Sequence, residues 1–140
     1  MAPEIMFEPS LVGVESVGVS ELVFECVQEC DMDSRMTMYE NIVLSGGSTT
    51  FPGFGERLKK DLIDLYKERI LKSDPNANVE KFVNRVNVET PADRKYSVFV
   101  GGSVLANIMK DNDKFWVTRQ EYEKLGITKA LRKCEGTFHE

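Results

Sequence analysis

The chain has 140 residues, a net charge of −5 and an isoelectric point near 5.0. Hydrophobic residues make up 41% and charged residues 29%, which is typical of a water-soluble domain with a modest core. The acidic balance argues against a nucleic-acid partner, because nucleic-acid-binding domains usually carry a basic surplus. No stretch approaches the roughly 20 apolar residues of a membrane span, and no secretion signal opens the sequence. We therefore expect a cytoplasmic protein with no membrane span.

Three cysteines, Cys26, Cys30 and Cys134, follow no disulfide framework, and an odd number is typical of a reducing compartment. Cys26 and Cys30 lie one helical turn apart on an apolar stripe, so we predict that both are small core residues. A zinc site needs more ligands, and the single histidine, His139, lies in the polar tail. We predict no metal site.

Hydrophobic periodicity predicts helices along much of the chain. Residues 1–15 contain two prolines and are expected to be extended or turning. The i, i+3, i+4, i+7 spacing predicts an amphipathic helix over 17–30, and a short helix is expected from a cap at Asp33 or Ser34 to about Tyr39. Further helices are predicted at 53–72, 79–83 and 103–109, with a loop at 73–78 and a capping-box helix that begins at Thr118 and ends near Gly126.

Three apolar runs predict strands. The run at 42–44 is stopped by Gly46-Gly47 and is typical of a buried parallel strand. A second strand alternates apolar and polar residues around 86–88, and a third is predicted at 96–100, parallel to the first and ended by Gly101-Gly102. Strands that alternate with helices indicate an α/β fold, although three strands are few for a complete sheet.

The turn after the first strand is the strongest candidate for ligand binding. Gly46 and Gly47 would let the backbone approach a ligand closely, and N–H groups before a helix favour an anion. The hydroxyls of residues 48–50 could cap a helix or bond a ligand, and Phe51 offers a flat apolar face for a base. The alternative is a tight corner with Ser48 as its N-cap. Neither a Walker A lysine nor a G-x-G-x-x-G fingerprint is present.

Lys95 is a second candidate, because it directly precedes the predicted third strand and could reach a bound phosphate or base. The alternative is an exposed lysine at the start of a strand. Catalytic groups are otherwise scarce, since the one histidine is terminal and the carboxylates are spread along helix faces.

Several motifs, in order, resemble the actin superfamily. "FEPSLVGVESVGVSELVFECVQECDMDSRMTMY" (7–39) is followed by "NIVLSGGSTTFPG" (41–53), which looks like the actin-family segment that contacts ATP, and by "RKYSVFVGGSVLANI" (94–108). The likeness covers about 1–135, and the chain is identified as a member of this superfamily. The resemblance implies a partial actin-like (ribonuclease-H-like) ATPase fold that comprises only the C-terminal part of a longer protein.

The resemblance also implies a division of the chain and a set of sites. Residues 1–15 would end the outer lobe of the large domain, 16–95 would form part of its inner lobe, and 96–140 would return to the small domain. The positions that touch the nucleotide in the family fall on Gly46, Gly47, Ser48, Thr50, Phe51 and Lys95. The cleft where partner helices dock falls on Val100, Val104, Leu105, Ile108 and Phe115, for which ordinary core is the alternative.

The implied cofactor is ATP, with Mg²⁺ in the full-length parent. The phosphate loops and catalytic residues of the family lie outside this sequence, so we expect weak or no ATP binding by the chain alone and no enzyme activity. A polar tail follows Arg132-Lys133-Cys134, which departs from the usual end of actins.

Two tracts point to one subgroup of actin-related proteins, the one that acts in the complex nucleating branched actin filaments. They are "IMKDNDKFWVTRQEYEKLG" (108–126) and "DLYKERILKSDPNANVEKF" (64–82). The implied partners are actin, the other subunits of that complex including actin-related protein 3, and nucleation-promoting factors. The alternatives are a fragment of a conventional actin-like filament protein, or a stand-alone interaction module without nucleotide.

Overall fold

The computed structural model describes residues 2–72 and 79–134, and within them it forms six α-helices and a two-stranded parallel sheet. The helices are α1 (Val19–Glu29), α2 (Met32–Glu40), α3 (Phe54–Tyr66), α4 (Val79–Arg85), α5 (Ser97–Ile108) and α6 (Arg119–Cys134). The strands are β1 (Ile42–Val43) and β2 (Val88–Glu89), and short 3₁₀ helices lie at Ala2–Met6, Pro9–Val12, Gly47–Thr50 and Asp113–Phe115. None of the described helices has the length and apolar character needed to cross a membrane.

The chain divides into two compact units, 1–98 and 99–140. This division lies close to the boundary predicted at residue 96, and the assignment of the segments to lobes of an actin fold stays a prediction. The predicted loop at 73–78 and the C-terminal tail lie outside the described residues.

The predicted first helix is confirmed, and its expected apolar stripe is buried in part, because Val27 is buried and Val19 and Val23 pack against the core. Phe24, Val27 and Ser20 are buried, whereas Leu22 and Cys26 are exposed. The Ser20 hydroxyl donates a hydrogen bond to Asp61 of α3 at 3.1 Å, which turns this side of α1 towards α3. The prediction that both cysteines are core residues is therefore wrong for Cys26, while Cys30 is half-buried.

The first two predicted strands form the parallel sheet. The Ile42 amide donates to the Asn87 carbonyl at 3.3 Å and the Leu44 amide to the Glu89 carbonyl at 3.0 Å. Ile42 pairs with Val88, and Val43 pairs with Glu89. The sheet therefore brings two segments about 45 positions apart into register.

The third predicted strand, 96–100, is wrong, because Tyr96 lies in a turn and residues 97–100 belong to α5. The Arg94 amide donates to the Pro91 carbonyl and the Tyr96 amide to the Asp93 carbonyl, so the chain already turns with helical spacing before Ser97. Gly101 and Gly102 lie inside the helix rather than at its start. A short apolar run fits a strand and a helix equally well, and length decides between them. Here the run continues for the 12 residues of α5.

The core of the first unit is built on α3. Its predicted apolar stripe is confirmed, because Phe54, Leu58 and Leu62 are buried and Leu65 and Tyr66 pack against them. A π-helical turn, Lys67–Leu71, continues it. The buried members of the core cluster are Phe24, Val27, Tyr39, Leu44, Phe54, Leu58, Leu62, Phe82 and Val86.

Aromatic contacts connect α2, α3 and α4 within this core. The rings of Tyr66 and Phe82 stack with centroids 3.6 Å apart, and Tyr39 meets Phe82 edge to face at 5.0 Å. An ion pair between Arg85 and Glu40 lies beside them. These contacts fix α4 directly before β2, so the sheet register depends on them.

In the second unit, the predicted capping box is confirmed. The Glu121 amide donates to the Thr118 hydroxyl at 3.1 Å, and the Thr118 amide donates to the Glu121 carboxylate at 2.8 Å. The predicted break near Gly126 is also confirmed, since this residue has a φ of 75° inside α6 and interrupts its helical path.

Replacing Leu62 by Ala should lower the free energy of unfolding by about 2–5 kcal/mol, because it removes a fully buried side chain from the core. Leu22→Ala on α1 is the matched control, since that side chain is 49% exposed and should cost far less. Denaturant titration measures both, and equal losses in the two variants would contradict this account of the core.

Because of Tyr39, the free energy of unfolding should depend on pH in the alkaline range. Burial raises the pKa of Tyr39 above its ordinary value of 10.0, although the hydrogen bond from Gln28 opposes the shift. The neutral phenol is thus favoured in the folded chain, and its contribution is complete below pH 10 and is lost as the pH rises through the folded pKa. Tyr39→Phe should be about 1 kcal/mol less stable than wild type at pH 7, because the Gln28 bond is lost.

The stability difference between Tyr39→Phe and wild type should narrow above pH 10. Tyr122→Phe is the matched control for the loss of one phenol hydroxyl, because Tyr122 is 49% exposed. Unfolding free energies measured from pH 7 to 11 test this, and a gap that stays constant for Tyr39→Phe would rule it out.

Candidate functional site

The candidate site begins where β1 ends. Gly46 has a φ of 92° and a ψ of 155°, a backbone conformation that is essentially restricted to glycine. Its amide donates to the Arg94 carbonyl at 2.9 Å, and the Ser45 and Ser97 hydroxyls lie 3.0 Å apart. The strained residue is therefore held against the segment that follows β2.

The glycine pair leads into a 3₁₀ turn rather than directly into a long helix. Gly47–Thr50 form this turn, and α3 begins only at Phe54 after Gly53. The N–H groups of Gly46 and Gly47 are thus not the N-terminus of α3. The expected helix-dipole contribution at the glycine pair is not supported by this geometry.

Two hydroxyls of the turn are used within it. Thr49 Oγ1 donates to the Gly46 carbonyl at 2.8 Å, and Thr50 Oγ1 donates to the Gly47 carbonyl at 2.6 Å. These local bonds stabilise the turn, as short hydroxyl side chains commonly do. Ser48 is exposed, and among the described residues its hydroxyl has no hydrogen-bond partner. Of the three hydroxyls, Ser48 is the one free to meet a ligand.

Arg94 closes the site from the other side, a role that sequence reasoning missed. Its Nε and Nη2 donate to the Thr49 carbonyl at 3.2 and 3.0 Å, while Nη1 donates to the Pro91 carbonyl at 3.0 Å. A planar guanidinium with several donors suits such a multiple contact. In the sequence, Arg94 can be recognised only as a cation next to the candidate Lys95. That position does not tell whether its side chain stabilises the turn or contacts a ligand.

Lys95 is brought next to the glycine pair, although it precedes a helix and not the strand expected from the sequence. A Cβ placed on Gly47 would lie 3.8 Å from the Cγ of Lys95, an ordinary van der Waals distance. The Lys95 ammonium lies 5.1 Å from the centre of the Tyr96 ring. Lys95 is exposed, as is Ser48 in the turn.

Phe51 follows the turn with 40% of its surface exposed. Its ring is thus available for contact with a flat apolar group. The predicted nucleotide-binding residues therefore share one region of the first unit, namely Gly46, Gly47, Ser48, Thr50, Phe51 and Lys95. The Thr50 hydroxyl donates its hydrogen bond within the turn.

The five residues predicted for a partner cleft lie in the second unit. Four are on α5 and Phe115 is on the 3₁₀ turn that follows. All are exposed, with exposed fractions between 49% and 67%, namely Val100, Val104, Leu105, Ile108 and Phe115. In this chain they form an apolar surface and are not part of the core.

A model of the actin family, described as "Actin", matches residues 1–135. The chain belongs to the actin family. The structure is that of an actin-family fragment, mostly helical with a small parallel sheet.

Curated relatives refine this assignment. The chain is 48% identical over 133 residues to "Actin-related protein 2" of Oryza sativa subsp. japonica, and equally so to that of subsp. indica. It is 49% identical over 133 residues to "Actin-related protein 2" of Caenorhabditis briggsae. These alignments cover 94–95% of the chain but 33% of each relative, so the chain spans about a third of their length. The likeness to actin-related protein 2 predicted from tracts 64–82 and 108–126 is confirmed.

Gly46→Ala should destabilise this actin-family chain by about 1–3 kcal/mol, because the backbone at Gly46 lies outside the region open to alanine. Gly101→Ala is the matched control and should change the free energy of unfolding in the opposite direction. Gly101 lies inside α5 with nothing within 4 Å of an added Cβ, so alanine should stabilise by up to about 1 kcal/mol. The free energies of unfolding of both variants test this prediction. A Gly46→Ala variant as stable as wild type would show that the turn is not held in this conformation.

Proposed function

We propose that this chain forms one wall of an ATP-binding cleft in a subunit like actin-related protein 2. The observation that carries this proposal is the closed turn, in which Gly46 is bonded to Arg94 while Lys95 lies beside Gly47. The identity of 48–49% to actin-related protein 2 supports the same conclusion.

Each group on this wall has a chemical role towards a nucleotide. Gly46 and Gly47 carry no side chain, so a ligand can approach the backbone closely. The Ser48 hydroxyl can donate a hydrogen bond, and the Phe51 ring can stack on a base. The Lys95 ammonium supplies positive charge for a phosphate or a polar edge of the base.

The wall does not hold the other half of the site. Mg²⁺ prefers carboxylate and phosphate oxygens, and the turn at 46–51 carries no carboxylate. In this proposal the metal and the groups that act on the γ-phosphate belong to other parts of the full-length subunit. The chain itself is then not an enzyme and binds ATP weakly or not at all.

The wider role in this proposal is assembly. The subunit would act in the cytoplasmic actin cytoskeleton, in the complex that nucleates branched actin filaments, with actin, actin-related protein 3 and nucleation-promoting factors as partners. The exposed apolar residues of α5 suit the docking of a partner helix. Residues 1–95 would belong to the large domain of the actin fold and 96–140 to the small domain.

Nucleotide titration of the full-length subunit tests the proposed wall. Lys95→Ala should weaken ATP binding about tenfold, equivalent to 1.4 kcal/mol, because it removes the exposed charge beside Gly47. Lys60→Ala on the exposed side of α3 is the control and should leave the affinity unchanged. Equal affinities for wild type and Lys95→Ala, at unchanged thermal stability, would refute the role of Lys95.

The chain of 140 residues, titrated by calorimetry, should bind ATP more weakly than about 1 μM, because it supplies one side of the cleft alone. Micromolar or tighter binding by the chain would show that it holds a complete site.

A further inference from the structure

The two thiols near the end of α1 lie on one side of the helix. Cys26 is exposed, and Cys30, the first residue after α1, is half-buried. The Cys30 thiol donates a weak hydrogen bond to the Cys26 carbonyl at 3.4 Å. The second thiol is thus turned back along the helix towards the residue that carries the first.

Arg35 of α2 holds this end of the helix in place. Its Nε donates to the Cys30 carbonyl at 3.0 Å, and its Nη2 and Nη1 donate to the Gln28 carbonyl at 2.6 Å and to Gln28 Oε1 at 3.2 Å. The Gln28 side chain also donates to the buried Tyr39 hydroxyl at 3.1 Å. The backbone of Cys30 is therefore held by contacts that do not involve its sulfur.

The spacing of Cys26 and Cys30 disfavours a direct disulfide. Residues four apart on a helix have Cβ atoms roughly 5–6 Å apart, whereas a disulfide requires about 3.5–4.5 Å. Closing an S–S bond would have to distort the turn that Arg35 holds. A single soft atom bonded to both sulfurs spans more, because each thiolate bond to such a centre is roughly 2.3 Å long.

The number of ligands narrows the kind of centre. Within the residues that the structure describes, no three His, Cys, Asp or Glu side chains are placed to hold a metal ion. A structural zinc ion takes four ligands and is not accommodated by two thiols. A trivalent arsenic that already carries one organic group needs only two sulfurs to complete its three bonds.

We propose that Cys26 and Cys30 together form a dithiol site that is modified by mono-substituted trivalent arsenicals. In this reaction an arsenic–oxygen double bond and two S–H bonds break, two As–S bonds form, and the oxygen leaves as water with both thiol protons. No oxidant or reductant is needed. An open cavity of about 440 Å³ beside Cys26 gives room for the organic group. Its other lining residues are both apolar and charged or polar, namely Leu22, Phe24, Glu25, Gln28, Glu29 and Arg69.

The test uses the full 140-residue chain and phenylarsine oxide. Intact mass spectrometry should show one phenylarsenic group per chain with loss of one water, and titratable thiols should fall from three to one. Ethanedithiol should release the group, whereas an equal concentration of a monothiol should not, because two bonds to one site act together. Peptide mapping after alkylation should show Cys26 and Cys30 protected and Cys134 alkylated.

Serine variants provide matched controls. Cys26→Ser and Cys30→Ser should each weaken retention of phenylarsenic at least about a hundredfold, and Cys134→Ser should leave it unchanged. Circular dichroism checks that each serine variant is folded. The peptide mapping of the wild-type chain does not depend on these variants. Protection of Cys134, protection of one cysteine alone, or release by a monothiol would each overturn the proposal.

Discussion

The parallel pairing of β1 with β2 is the constraint on which the candidate site depends. Two amide-to-carbonyl bonds, from Ile42 and Leu44, fix the register. Each strand has only two residues, so the sheet is too short to be stable alone and is maintained by the core beneath it. Leu44 and Val86, at the ends of these strands, are both buried in that core. Packing therefore sets the register, and the register sets which loops meet.

The sheet brings together a glycine-rich turn after β1 and a basic segment after β2. Amide and carbonyl groups of the turn after β1 are hydrogen-bonded to the carbonyl and the guanidinium of Arg94, which lies in the segment after β2. Arg94 is hydrogen-bonded to the backbone of the turn, whereas its neighbour Lys95 is exposed and its ammonium lies over the Tyr96 ring. The two adjacent cations therefore have different surroundings, and only Arg94 stabilises the turn directly.

Much of this arrangement could be predicted from the sequence, and the failures have specific causes. The apolar stripe of α3 is a strong signal, because a stripe of that length at helical spacing admits few alternatives. The run at 42–44 does form a strand, but it has the same pattern as the run at 96–100, an apolar run before two glycines. The run at 96–100 was ambiguous, since an apolar segment followed by glycine does not reveal whether a strand partner exists. No single-sequence pattern could show that Arg94 reaches Thr49, because that contact depends on the strand register.

The face of α1 shows a subtler limit. Leu22 and Phe24 are both apolar, and periodicity alone placed Leu22 and Cys26 on the buried side. Val19, Val23 and Val27 of the expected stripe do face the core, but Ser20 and Phe24 are buried beside them, while Leu22 and Cys26 are exposed. Periodicity therefore predicts the buried side of α1 approximately, but not which residues at the edge of that side lie at the surface.

The close approach of α3 to the end of β2 has a consequence for how this sequence can vary. A Cβ on Gly55 would lie 2.6 Å from the Cγ2 of Thr90, and also 3.6 Å from side-chain atoms of Leu44 and Val88. Any larger residue at position 55 would push the chain outwards just before Arg94. Substitutions at positions 55 and 90 are therefore coupled, because a larger side chain fits at one position only if the side chain at the other becomes smaller. A helix position with no ligand contact thereby restricts the evolution of the turn.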